Sequence, residues 1–139
     1  MVEKFNNRDG TYNQSTVVME TTKKRSEDPD YEVRDSVARD KSTPKEILEK
    51  LGNDTHYIVR RSVAKNKNTP TETLELLSHD ESEFVRRKVA DNPNAPTETL
   101  ELLSHDESEW VRRMVANNPN TSTEVRERLS NDEDSNAEE

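Results

Sequence analysis

The sequence predicts an all-α fold, a solenoid of about four 26-residue repeats, and three observations carry that prediction. The stretch PTETLELLSHDESE occupies residues 70–83 and recurs unchanged at 96–109, a spacing of 26. Aligned at that spacing, the chain divides into the windows 28–53, 54–79, 80–105 and 106–131, each opening on Asp. Inside the windows the apolar residues recur at i, i+3 and i+4, the period of a helix face. Valine holds the sixth place (Val33, Val59, Val85, Val111) and the tenth (Val37, Val63, Val89, Val115), and alanine follows as Ala38, Ala64, Ala90 and Ala116. A leucine pair closes three units: Leu48/Leu51, Leu74/Leu77 and Leu100/Leu103.

Composition alone points the other way. Leu, Ile, Val and Phe make up 25 of 139 residues and the net charge is −9, a combination common in chains that cannot bury enough apolar surface to fold. The placement of those few residues overrides their number for 28–131. Helices of this length are marginal alone, so stability must come from stacking on neighbours. Two glycines and abundant Glu, Arg, Leu and Ala favour helix over sheet.

Residues 1–27 are read as a polar, flexible segment, with a hairpin turning at Arg8-Asp9-Gly10 as the other reading. In each unit a short helix starts at STPKE (42–46), NTPTE (68–72), NAPTE (94–98) or NTSTE (120–124). Thr43, Thr69 and Thr121 are placed as N-caps, with Glu46, Glu72, Glu98 and Glu124 three residues on to complete a capping box. Pro44, Pro70 and Pro96 then fall at the first helical position, where the missing N–H costs nothing. SHDESE links this helix to a second one, such as EFVRRKVA, which ends near Asn-Pro at 92–93 and 118–119. In the fourth copy Arg126 and Arg128 replace leucines, so 121–131 reads as the polar cap that a stack needs. The eight residues DEDSNAEE (132–139) carry −5 of the net charge and are read as an acidic disordered tail.

Little in the chain points to chemistry. Without cysteine there is no disulfide, thiolate zinc or iron–sulfur cluster. His79 and His105 repeat at the same place, but stacked helices lie about 8–10 Å apart, too far for both imidazoles to reach one metal at about 2 Å. No nucleophile elbow or phosphate loop is present. The chain is expected to be no enzyme and to need no cofactor or metal. No apolar stretch nears a membrane span and MVEKFNNRDG has no signal core, so a cytoplasmic protein is expected.

Two arginine rows stand out. Arg34, Arg60, Arg86 and Arg112 flank the valine face and have a repeated Asp at hand, the pattern of a structural ladder. Arg61, Arg87 and Arg113 form the second row, interrupted by Asp35; Glu83–Arg87 and Glu109–Arg113 are helical i,i+4 pairs. Phe84 and Trp110 read as core-edge packing, whereas Tyr31 and Tyr57 read as partly exposed. The binding surface is therefore placed on Tyr57, Arg61, Arg87 and Arg113.

The runs VRRSVAKNKNTPTETLELL, VRRKVADNPNAPTETLELL and VRRMVANNPNTSTEVRERL resemble the leucine-rich repeat variant family over roughly residues 28–131. That resemblance implies a right-handed superhelix of alternating α- and 3₁₀-helices, akin to HEAT and armadillo stacks. Lys41 and Lys67 depart from the Asn-Pro of the signature. The iron–sulfur module of some members cannot be built without cysteine. Two functions follow as expectations: a monomeric, non-catalytic module that docks a protein partner on one lateral face, or a nucleic-acid-related role. The second would work by acidic mimicry of nucleic acid or by weak phosphate contacts through the arginine rows.

Overall fold

In the computed structural model the backbone is described for residues 14–138 and the side chains for 17–132. Among these residues are nine helices and no strand: α1 Gln14–Ser26, α2 Tyr31–Arg39, α3 Lys45–Leu51, α4 Tyr57–Lys65, α5 Thr71–Leu77, α6 Glu83–Asp91, α7 Thr97–Leu103, α8 Glu109–Asn117 and α9 Thr123–Glu138. The nine-residue helices α2, α4, α6 and α8 pack side by side in chain order, with α1 against α2 at one end and α9 against α8 at the other. The seven-residue helices α3, α5 and α7 each bridge the long helices before and after them. This is an all-α repeat solenoid, as the periodicity predicts.

The core is the set of positions that recur every 26 residues. Val59, Val63, Val85, Val89, Val111 and Val115 are fully buried, and Leu74, Leu77, Leu100 and Leu103 are at most 1% exposed. Branched, rigid valines fill the seam between adjacent long helices, and leucines from the short helices close it from the side. Because most of the valines and leucines are concentrated there, 27% hydrophobic content suffices for a continuous core.

Three local expectations are corrected. The short helices are α-helical, with no 3₁₀ segment among the described residues. Pro44, Pro70 and Pro96 are the N-cap residues, extended at ψ near 150°, so each helix starts one residue later than the capping box requires. Thr43, Thr69 and Thr121 accordingly cap nothing downstream. Their hydroxyls donate backwards to the carbonyls of Val37, Val63 and Val115 at 2.6–2.7 Å, a second bond to carbonyls that already accept the amide of the helix C-cap residue.

The ends also differ from the expected boundaries. Gln14–Ser26 forms α1, whose Arg25 donates to Ser36 Oγ on α2 at 2.8 Å. The turn considered around Arg8-Asp9-Gly10 lies outside the described residues. At the other end α9 continues through Glu138, since no proline or glycine after Thr123 stops it. Arg126 supplies the cap: its guanidinium donates to the Asn118 carbonyl at 2.6 Å. In the earlier units the equivalent carbonyls, Asn66 and Asn92, accept from the next unit's asparagine.

Candidate interaction face

Two polar ladders hold the units in register, and they decide which side chains remain for binding. Arg34 donates to both carboxylate oxygens of Asp54, 20 residues ahead, at 2.8 and 3.1 Å. Arg60 does the same to Asp80 and Arg86 to Asp106. The other guanidinium nitrogen of each arginine donates to the carbonyl six residues back: Asp28, Asp54 or Asp80. Each arginine thus ties the start of its own unit to the start of the next. These pairs are largely buried, with side-chain exposures of 11–15% for arginine and 8–9% for aspartate. Burial pushes the Asp54 carboxyl up, but the Arg34 hydrogen bond and the His56 amide together hold it below the usual aspartate range. Among the described residues Arg112 bonds only the Asp106 carbonyl. Asp132, its counterpart by spacing, is carried off on the uninterrupted α9 and is exposed.

The second ladder has no counterpart in the sequence reading. Asn66, Asn92 and Asn118 are 2–6% exposed. Asn92 Nδ2 donates to the carbonyls of Ala64 and Asn66 at 2.8 and 3.1 Å, and its Oδ1 accepts from the Asn94 amide at 2.9 Å. Asn66 and Asn118 repeat the pattern one unit back and one unit on. The signal was present, since these asparagines recur every 26 residues; only their burial gives it meaning.

With the first arginine row spent on aspartates, the second row faces outward beside the aromatic residues. Tyr57, the first residue of α4, is 40% exposed. Its ring lies 5.5 Å from His56, which stacks on Tyr31 at 3.8 Å, and 6.1 Å from Phe84. Phe84 and Trp110 are 45% and 52% exposed, correcting the core-edge expectation. They stand in the first turn of α6 and α8, outside the valine seam. Arg87 lies over both rings, 6.0 Å from Phe84 and 5.5 Å from Trp110. Arg113 lies over Trp110 at 5.0 Å and pairs with Glu109 at 2.8 Å, as its spacing predicts. The expected Glu83–Arg87 pair does not form: Glu83 accepts from Ser108 Oγ at 2.6 Å, and Arg87 turns to the rings. Arg61 is half-buried and makes no hydrogen bond or ion pair with a described residue.

Ring and guanidinium contacts link Tyr57, Phe84, Arg87, Trp110 and Arg113 in one row, whereas Arg61 holds the position on α4 that Arg87 holds on α6 and forms no such contact with them. Among the described residues no group of three or more His, Cys, Asp or Glu side chains could hold a metal ion, and no helix is long and apolar enough to cross a membrane. His79 and His105 are exposed and separate.

Repeated helix pairs, stitched by unit-to-unit ladders and presenting one continuous lateral face, define the class: an α-helical repeat solenoid. The chain belongs to the leucine-rich repeat variant family, whose profile matches three consecutive repeats at residues 58–82, 83–108 and 109–134. The first unit, 28–53, is outside that match, although its valine, leucine and Arg–Asp positions are in place. No curated protein and no solved structure matches the chain.

Proposed function

We propose that this protein is a non-catalytic, monomeric module that binds a protein partner through the lateral face of Tyr57, Phe84, Trp110, Arg61, Arg87 and Arg113. The observation that carries the reading is the exposed row of three aromatic rings interleaved with guanidinium groups. Large aromatic and arginine side chains dominate the energetics of protein interfaces, and each ring–guanidinium contact adds about 0.5–1 kcal/mol at an exposed site. Those contacts also hold the side chains ready, which lowers the ordering cost of association. A nucleic-acid role is less well supported. Arg34, Arg60 and Arg86 are committed to aspartates, and the four units together are acidic.

Trp110 is the single tryptophan, so its emission reports directly on this face. A protein retained on the immobilised chain, then purified and titrated, should shift Trp110 emission to shorter wavelength as the ring leaves water. Replacing Arg61, Arg87 and Arg113 together by glutamate should abolish the shift. Losing the three ring–guanidinium contacts at about 0.5–1 kcal/mol each should lower the melting temperature by about 5–10 °C and leave the chain folded. Retained proteins that bind the triple variant equally well, or leave the emission unchanged, would overturn the assignment.

A further inference from the structure

We propose that the cleft at the C-terminal ends of α2 and α4 is a binding site for a phosphate dianion, gripped by Arg39, Lys41, Lys65 and Lys67. The cavity has a volume of about 260 Å³ and is completed by Ser62 and Asn66. Four cations around one small cavity are unexpected in a chain of net charge −9. Only Arg39 has a carboxylate partner, Asp35 at 3.2 Å, and that guanidinium is 64% exposed. Lys41, Lys65 and Lys67 form no ion pair with a described residue.

Structural explanations for these cations fail by comparison along the stack. Basic residues often sit at helix C-termini because the dipole there is negative, yet α6 and α8 end at the same places on Asp91 and Asn117. Lys41 and Lys67 occupy the positions of Pro93 and Pro119. The residue before each has the same backbone: φ/ψ of −73/123 at Asp40, −68/126 at Asn66, −75/123 at Asn92 and −78/132 at Asn118. The fold therefore requires none of these cations, and only the first two units gather them.

The remaining polar groups make the ligand's chemistry specific. Ser62 donates its hydroxyl to Asp35, and Asn66 Nδ2 is used on the Ala38 and Asp40 carbonyls. Two carbonyls that would repel an anion are thus covered, and the one carboxylate bonded to the lining, Asp35, is held by Arg39 and Ser62, which leaves the three lysines as the uncompensated charges. A phosphate group carries about −1.5 to −2 charges on three oxygens, whereas matching four cations with carboxylates would bring several side chains into about 260 Å³. Lysine binds phosphate as a point charge without fork geometry. The phosphate could be free or esterified to a side chain of a bound protein.

This site shares no residue with the interaction face, so the two readings fail separately. The test is titration of the full chain with inorganic phosphate, and in parallel with a phosphoserine peptide and its unphosphorylated form, followed by amide NMR. Saturable shifts at Lys41, Lys65 and Lys67, with a dissociation constant below about 1 mM, are expected from at least one phosphate probe. Inorganic phosphate alone would indicate a free anion, and the phosphopeptide alone a protein-borne one. Lys41→Pro with Lys67→Pro, which copies the later units and meets the extended backbone that proline requires, should weaken binding roughly tenfold or more. Arg39→Gln with Lys65→Asn should do the same without touching a loop. No saturable binding of either phosphate probe, or undiminished binding in both folded variants, would overturn the site.

Discussion

Replacing Asn92 by alanine tests whether the buried asparagine ladder, rather than the leucine core alone, holds the units together. Asn92 is 2% exposed and makes three hydrogen bonds: two from Nδ2, to the Ala64 and Asn66 carbonyls, and one accepted from the Asn94 amide. A typical hydrogen bond contributes about 0.5–1.5 kcal/mol net, and a buried partner left unsatisfied costs about 1–3 kcal/mol. Losing three bonds at one buried site should therefore cost about 3 kcal/mol, against a total stability of about 5–15 kcal/mol for a domain. For 139 residues, unfolding entropy near 2.1 cal/mol/K per residue amounts to about 0.29 kcal/mol/K, so melting should fall by about 10 °C. Thermal unfolding followed by circular dichroism reads this directly. Asn92→Asp should do no better, because a carboxylate keeps the turn acceptor but faces two carbonyls without a proton to offer. A fall of less than about 2 °C for the alanine variant would refute the ladder's energetic role.

Other outcomes follow from the same geometry. Leu100→Ala, at a position 1% exposed, should cost about 2–5 kcal/mol, the range for large-to-small core changes; unchanged denaturant unfolding would mean the seam is misassigned. Asp54 is held below the usual aspartate range in the folded chain. Its contribution is therefore complete above the unfolded value near 3.9 and lost as pH falls through the lower folded value. Melting temperature measured between pH 5 and 2 should fall more steeply for the wild type than for Asp54→Asn, and parallel curves would contradict this. Lys41→Pro and Lys67→Pro should each stabilise by about 0.4–1 kcal/mol, since a compatible proline restricts the unfolded chain; a lower melting temperature would show that these loops differ from those of the later units.

What could be read from the sequence was whatever repeats in kind and place. Val63, Val89 and Leu100 announced the core because apolar side chains at a fixed helical spacing have one economical use. The Arg60–Asp80 tie was foreshadowed by an Asp at the start of every unit, although the choice of the following unit's Asp needed coordinates. Asn92 was equally periodic, yet a polar residue near a helix end fits a surface turn as well as a buried bond. Thr69 was misread for a related reason. A hydroxyl before proline can cap the helix ahead or close the one behind, and the chain direction at Pro70 decides between them. Phe84 and Trp110 sit beside Val85 and Val111 on the helix wheel, which suggests the core edge, yet at the start of their helices nothing covers them and they are 45% and 52% exposed. Arg87 then left Glu83 for the rings that this exposure made available.

The Arg–Asp and Asn–carbonyl ties bear on how such a chain can change in length. Every tie runs from one unit to the same point of its neighbour, so the surface a unit offers behind matches the one it offers ahead. Inserting or removing a whole 26-residue period between two Asp boundaries would leave each new junction chemically equivalent to the old ones. A single added residue inside a long helix would instead rotate its valines by about 100° and break both ladders at once. Growth by tandem duplication is therefore tolerated where small insertions are not, and the fourteen identical residues at 70–83 and 96–109 are the mark such a history would leave.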